Sequence, residues 1–204
     1  MVATVLTRCG SMLSAIISTQ NSERSLVPTL SALVPAAAAG LLAEVVVADG
    51  GSRDATAEVA DIAGCRFTSS TETLGLRLRA AAVTVRSPWL MFLRAGAVPQ
   101  PGWIDAAEHF MQKTGPMDGA SRAAVFRLPG SPGAVRPGLA ELLAAARALI
   151  AGGPRPEQGL LITRRLYDVI GGHSAGDNAE VALLRRLGRQ RLTVLPSGIT
   201  IAVT

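Results

Sequence analysis

The chain has 204 residues, ample for one domain and cramped for two, and its 49% hydrophobic and 17% charged residues exclude extended disorder. Lys+Arg 20 against Asp+Glu 15 gives a net charge of +5, and Lys113 is the sole lysine, so the positive charge is almost wholly arginine, the side chain suited to phosphate and carboxylate partners. Cys9 and Cys65 lie far apart with no CxxC, which excludes a zinc site or disulfide framework and fits a reduced setting.

The apolar run Val2–Leu6 is too short for a secretory core, and no apolar stretch approaches the ~18 residues of a membrane span. The expectation is a cytoplasmic protein, either soluble or peripheral at the inner membrane. Residues 1–12 read as an N-terminal extension, with Met12 an alternative start, and 13–204 as one domain.

Leu13–Ser18 is a short apolar run that ends in Thr19, Gln20 and Asn21, as a buried parallel strand entering a functional loop does. Ser22–Val34 spaces Leu26, Leu30 and Leu33 at helical intervals, with Pro35 and Gly40 expected to close the helix. Glu44–Ala48 is a second strand running into the turn Asp49-Gly50-Gly51-Ser52. Ser52 can cap a helix opening near Asp54, whose apolar face is Ala57, Val59, Ala60 and Ile62 and which Gly64 ends before a strand at Cys65–Thr68. A helix over Gly75–Val85 leads to the strand Trp89–Leu93. A helix at Trp103–Gln112 and a strand at Ala123–Leu128 follow, then a Gly/Pro-rich loop and an amphipathic helix over Leu139–Ile150, either packed or at a membrane interface.

Alternating helices and buried strands imply an α/β fold with a mostly parallel, Rossmann-like sheet covered by helices on both faces. Ligands of such sheets bind beyond the carboxyl ends of the strands, so the loops at Thr19, Asp49 and Arg94 are expected side by side.

Several segments together resemble the family 2 glycosyltransferases with the GT-A fold, over about Leu13–Leu195. They are Ser18-Thr19-Gln20-Asn21-Ser22, Ala48-Asp49-Gly50-Gly51-Ser52-Arg53-Asp54, and Phe92-Leu93-Arg94-Ala95-Gly96-Ala97 ahead of Pro101-Gly102-Trp103. Further on come Glu157-Gln158-Gly159-Leu160-Leu161-Ile162, Arg164-Arg165, Ile170-Gly171-Gly172-His173, and the helix Glu180-Val181-Ala182-Leu183-Leu184-Arg185-Arg186-Leu187-Gly188.

The resemblance implies a small bacterial transferase of cell-envelope polysaccharide type that moves a sugar, with inversion, from a nucleotide-sugar donor to a saccharide or lipid-phosphate acceptor. It places Thr19, Asn21, Asp49 and Asp54 on the nucleotide and Gln158 and His173 on the acceptor side. Trp103 falls either near the donor sugar or in the core. A carboxylate must take the acceptor hydroxyl's proton. The resemblance puts Glu180 in that role, with Asp177 nearby as the fallback. The competing structural reading is that Asp177 caps the last helix and Glu180 completes a capping box. For Asp54 it is an acid favouring a helix N-terminus, and for His173 a packed histidine.

The departure from the family pattern is at the acidic motif that normally holds Mn or Mg. Its positions are Arg94 and Gly96, neither of which ligates a cation, and no other acid occurs between Glu72 and Asp105. No cofactor is therefore assigned with certainty. Arg94, supplemented by Arg77 and Arg79, could meet the diphosphate directly, giving metal-independent transfer. Alternatively the chain is a catalytically silent homologue that binds a nucleotide sugar or a protein partner. The arginines at 164, 165, 185, 186, 189 and 191 suggest a basic surface for a lipid-phosphate acceptor at a membrane. Nucleic acid is not expected, because 3% aromatics leave few stacking platforms. A nucleotidyltransferase is disfavoured by the lack of a Gly-rich loop with a lysine after the first strand.

Overall fold

The computed structural model describes residues 13–114, 122–128 and 154–202; the helix expected at 139–150 lies outside these residues. The chain runs β1 (Leu13–Thr19), α1 (Glu23–Ala38), β2 (Leu42–Asp49), α2 (Thr56–Ile62), β3 (Arg66–Ser69), α3 (Leu74–Thr84) and β4 (Trp89–Arg94). It continues through β5 (Ala97–Pro99), α4 (Trp103–Thr114), β6 (Ala123–Arg127), β7 (Leu160–Thr163), α5 (Arg164–Val169), α6 (Ala179–Leu187) and β8 (Leu192–Ile201).

The strands order as β3-β2-β1-β4-β7-β6-β8-β5. β3, β2, β1 and β4 are mutually parallel, as the alternation of strand and helix requires. β7 then joins β4 antiparallel, and β8 lies parallel to β6. Alternate strand residues supply two cores. Leu13, Ala15 and Ile17 of β1 with Trp89, Met91 and Leu93 of β4 pack toward α1 and α4; Ile16, Leu90 and Phe92 pack toward α3, α5 and α6. The sheet is thus covered by helices on both faces. Among the described residues no helix is long and apolar enough to cross a membrane.

Several sequence expectations are corrected. α1 runs through Pro35 to Ala38, because Pro28 is only half-buried and Pro35 exposed, where water can satisfy the carbonyls a proline leaves unpaired. α2 opens at Thr56, not Asp54, and buries Thr56 and Ala60, while Ile62 is 80% exposed. Trp103 is a core anchor: it is buried and its Nε1 donates to Ala32 O at 3.1 Å, tying α4 to α1. β8 escaped the sequence pattern because Pro196 sits in it. The register against β6 slips between Val125 and Arg127, and the second half of β8 turns to pair with β5.

The start of α3 is fitted tightly against the segment leading into α6. Gly75 N donates to Gly176 O at 3.1 Å, Gly176 N to Thr73 Oγ1 at 3.0 Å, and Leu74 N to Asp177 Oδ1 at 3.3 Å. A β-carbon on Gly75 would collide with the Ser174 carbonyl oxygen and lie 2.6 Å from the Ala179 β-carbon. Replacing Gly75 with alanine should therefore destabilise the fold by about 1–3 kcal/mol through overpacking, measured as a lower midpoint in urea unfolding at unchanged slope.

Candidate functional site

The carboxyl ends of β1, β2 and β4 lie adjacent: Thr19 is in register with Asp49, and Ser18 with Arg94. The sheet therefore brings together Thr19, Asn21, Asp49, Asp54, Arg77 and Arg94 from four separate segments.

Asp49 is 1% exposed, and its carboxylate is saturated from within the protein. Oδ1 accepts from Thr19 Oγ1 at 2.9 Å and from Ser52 Oγ. Oδ2 accepts from the amides of Gly51 and Ser52, each at 2.8 Å, and from Ser69 Oγ at 2.9 Å. Burial pushes this carboxyl up, but the bonds from Ser52, Thr19 and Ser69 outweigh it and leave Asp49 below the ordinary carboxylate value.

The neighbouring loops are wired through the same hub. Ser52 Oγ, which the sequence suggested as a helix cap, instead accepts from Asn21 N at 2.7 Å. Asn21, held at a positive φ of 48°, accepts from Arg53 N at 2.9 Å with its own side-chain oxygen. Asp54 and Glu23 cap each other's helices: Glu23 N donates to Asp54 Oδ2 at 3.0 Å, and Ala55 N donates to Glu23 Oε2 at 3.1 Å. Asp54 also takes the Thr56 hydroxyl and amide, and these bonds hold its carboxyl below the ordinary value against the upward push of desolvation.

Arg77 is not on a solvated helix face. Its Nη1 donates to Thr19 O at 3.2 Å and Ala48 O at 3.0 Å, and its Nε to Glu72 O at 3.2 Å, pinning α3 beneath the ends of β1 and β2. Gly50 lies directly over it; a β-carbon there would sit 2.9 Å from Nη1. Arg79 is exposed on α3, with no described contact to this group.

At the end of β4 the structure joins two residues that the sequence had assigned to separate tasks. Arg94 Nε donates to Glu180 Oε2 at 2.7 Å and Nη2 donates to the same oxygen, while Nη1 faces Glu157 Oε1 at 3.7 Å. Desolvation lowers the Arg94 pKa, but the bonds and charge of Glu180, with Glu157 behind it, raise it above the ordinary value. Glu180 therefore completes no capping box: Asn178, the N-cap residue of α6, makes no side-chain cap bond, and Asp177 caps α3 instead. Among the described residues no cluster of three His, Cys, Asp or Glu could hold a metal ion, and a guanidinium lies between the two carboxylates nearest the motif. This donor set does not fit a divalent cation.

On the acceptor side, His173 is buried and packs edge-on to Phe92 at 4.7 Å. The Tyr167 hydroxyl accepts from His173 N at 3.1 Å and lies 2.8 Å from Nδ1, a hydrogen bond whose direction is set by the imidazole tautomer. Burial, assisted by the charge of Arg186, pushes the imidazole down to about 3. His173 shares a pocket with Glu180, Pro156 and Leu184. The side chain of Gln158 is committed elsewhere, accepting from Arg155 N and donating to Phe126 O, both at 2.8 Å. His109 is exposed on α4.

Sequence reasoning missed Ser69, Tyr167 and Glu157. The register of β3, which sets Ser69 opposite Asp49, exists only once the strands pair. Glu157 stood in a quoted segment, yet only the fold brings it to Arg94.

Because the folded protein keeps His173 neutral down to about pH 3 while an unfolded histidine protonates near 6.5, stability should fall as pH drops through that window. Urea titrations of His173→Gln should show a shallower pH dependence there than the parent protein. The lowered Asp49 contributes stability that is present above its ordinary value of 3.8 and lost as pH falls through its depressed one. Asp49→Asn should flatten that acid limb and destabilise the fold by about 1–3 kcal/mol, since its amide cannot accept all five donors.

The family model described as Glycosyl transferase family 2 matches residues 14–132, more than half of the chain. Among curated proteins, none matches. Of solved structures, glucosyl-3-phosphoglycerate synthase from Mycobacterium tuberculosis, in complex with Mn2+, UDP-glucose and phosphoglyceric acid, is similar at TM-score 0.66 and 19% identity, covering 96% of this chain and 73% of that one. The same synthase with Mn2+, UDP and glucosyl-3-phosphoglycerate gives TM-score 0.64 and 19% identity, covering 91% and 69%. A crystal structure of a mycobacterial protein gives TM-score 0.64 and 20% identity, covering 96% and 68%. The order of its strands, its helix-covered sheet and this match over residues 14–132 establish that the chain belongs to glycosyl transferase family 2 and has the GT-A fold.

Proposed function

We propose that the chain transfers a sugar from a nucleotide-sugar donor to an acceptor hydroxyl with inversion, using Arg94 where other members use a metal ion. The observation that carries this reading is the Arg94–Glu180 pair at the carboxyl end of β4, which puts a permanent cation and a carboxylate side by side where the family's chemistry is sited. Donors of the uridine-diphosphate class come first for testing, because the structural relatives are complexed with UDP and UDP-glucose.

In the transfer the bond between the anomeric carbon and the diphosphate oxygen breaks, the acceptor oxygen bonds to that carbon from the opposite face, and the acceptor proton passes to Glu180. Both strong Arg94 bonds fall on Glu180 Oε2, so this oxygen is free to take a proton only after the guanidinium turns away. The arriving diphosphate supplies the alternative partner. Arg94 is 38% exposed at its side chain but Glu180 only 9%, so separating them leaves a largely buried carboxylate that the acceptor hydroxyl must then meet. A bidentate guanidinium–phosphate contact gives Arg94 its replacement partner. Donor binding thereby stabilises the leaving group and releases the base in one movement. Asp49, Asn21 and Asp54 act in this scheme by fixing the loops whose backbone faces the nucleotide, since their side chains are already bonded within the protein.

That same saturation favours a second reading, a silent homologue that retains the scaffold and binds a nucleotide sugar or a partner without turnover. Thermal unfolding with a panel of nucleoside diphosphates and nucleotide sugars, in manganese and in chelator, separates the two when paired with a radiolabelled transfer assay. The transferase reading expects stabilisation by one nucleotide sugar irrespective of chelator, together with transfer. No response anywhere in the panel overturns it. Arg94→Ala should weaken nucleoside diphosphate binding by about 10- to 100-fold. Glu180→Gln should lower turnover by about 10²–10⁴-fold while binding nucleoside diphosphate at least as tightly as the parent, because the competing carboxylate is gone.

A further inference from the structure

The arginines of the C-terminal third do not form one basic surface. Arg164 donates to the carbonyls of Ala82 at 2.9 Å, Val85 at 2.6 Å and Ser87 at 3.2 Å, closing the end of α3. Arg186 donates to Ile170 O at 2.8 Å and to Gly172 O. These two guanidiniums are structural, which corrects their assignment to a lipid-facing patch.

Arg185 and Arg189 behave differently. Together with Arg155 they line a groove of about 390 Å³ with an apolar floor that includes Pro156, Val181 and Leu184. That size falls in the range of small-molecule sites, roughly 300–1,000 Å³. The ion pairs among the described residues fall on Arg24, Arg66 and Arg94, so no described carboxylate lies within 4.0 Å of any of the three groove guanidiniums. A basic residue in the last turn of a helix is explained by the helix dipole, and that covers Arg185. It does not cover Arg155, which faces α6 from another segment, its backbone fixed by the Arg155 N to Gln158 Oε1 bond and by Pro156. Three like charges lining one groove repel one another, and an anion of charge about −2 relieves that repulsion while offering oxygens for bidentate bonding.

The groove also has a fixed relation to the proposed base. Pro156 and Leu184 line both it and the pocket holding Glu180 and His173. Arg185 lies five residues beyond Glu180 on α6, about 7.5 Å of helix rise. We infer that Arg155, Arg185 and Arg189 form an anion subsite for a phosphomonoester, and that the acceptor carries this group on one side and presents its hydroxyl to Glu180 on the other. The acceptor part rests on the transferase reading; the phosphate site does not.

Titration calorimetry at low salt, with glycerol 3-phosphate and with glycerol as the uncharged control, tests the site on the full chain. Arg155→Ala, Arg185→Ala and Arg189→Ala are compared with Arg191→Ala, which removes an equal charge from an exposed residue outside the groove. The expected result is binding of glycerol 3-phosphate but not glycerol, weakened about five-fold or more by each groove substitution and less than two-fold by Arg191→Ala. Equal weakening by all four, or no binding of the phosphate, overturns the site. A parallel arm co-sediments the protein with phosphatidylcholine vesicles containing phosphatidic acid. Loss of sedimentation confined to the three groove variants assigns the phosphate to a lipid headgroup, and retention by all four assigns it to a soluble acceptor. If glycerol 3-phosphate binds as expected while no nucleotide sugar stabilises the protein, the transferase reading falls and the anion site stands; the reverse pattern removes the anion site alone.

Discussion

A carboxylate removed from water must find its hydrogen bonds inside the protein, and Asp49 finds five. They come from the end of β1, from the turn after β2 and from the end of β3, so this one side chain fixes the spacing of three loops at the carboxyl edge of the sheet. From it the order spreads outward: Ser52 holds Asn21, Asn21 holds Arg53, and Glu23 and Asp54 exchange caps between α1 and α2. Arg77 closes the arrangement from below by bonding Thr19 O at the end of β1 and Ala48 O, one residue before the end of β2. The edge is thus rigid before any ligand arrives, and what it offers a nucleotide is fixed backbone and shape more than free acidic groups.

The Arg94–Glu180 pair is the counterpart on the other side of the site. In a member with acids at the β4 end, charge balance would come from a bound cation; here the cation is covalently part of the chain and its partner carboxylates are Glu180 and Glu157. A tethered guanidinium is always charged and needs no metal loading, but it also bonds to whatever carboxylate is nearest. In the proposed transfer this ties the diphosphate contact and the proton acceptor into one exchange of partners, and the groove lined by Arg155, Arg185 and Arg189 adjoins the pocket of Glu180.

The N-terminal half of the fold was legible because its strands are uninterrupted apolar runs and its helices carry amphipathic spacing. Leu13–Ser18, Glu44–Ala48 and Trp89–Leu93 each became a core strand with slightly wider bounds. Legibility failed where local pattern and tertiary pairing diverge. Pro196 disguised β8, the three residues of β5 are too few to show a period, and Pro35 reads as a stop although α1 continues past it on an exposed face. The candidate residues were legible by type and order, since Asp49, Arg94 and Glu180 stand in recognisable segments. Their partners were not: Glu157 and Ser69 reach the site from distant positions in the chain, and Gln158, which reads as a ligand contact, spends both ends of its amide on backbone.

By itself the sequence determined the α/β class, the family, the alignment of the β1, β2 and β4 loops, and the replacement of acidic residues by Arg94 and Gly96. These follow from periodicity and from residue identity at fixed offsets, which are local properties of a chain. Only the tertiary structure decided that Arg94 and Glu180 are bonded, that Asp49 and Asn21 are satisfied internally, and that Arg164 and Arg186 serve carbonyls while Arg185 and Arg189 face Arg155 across a groove. The reason is physical: a charged or hydrogen-bonding side chain is defined by the partner that meets it, and those partners lie tens of residues away until the sheet assembles them.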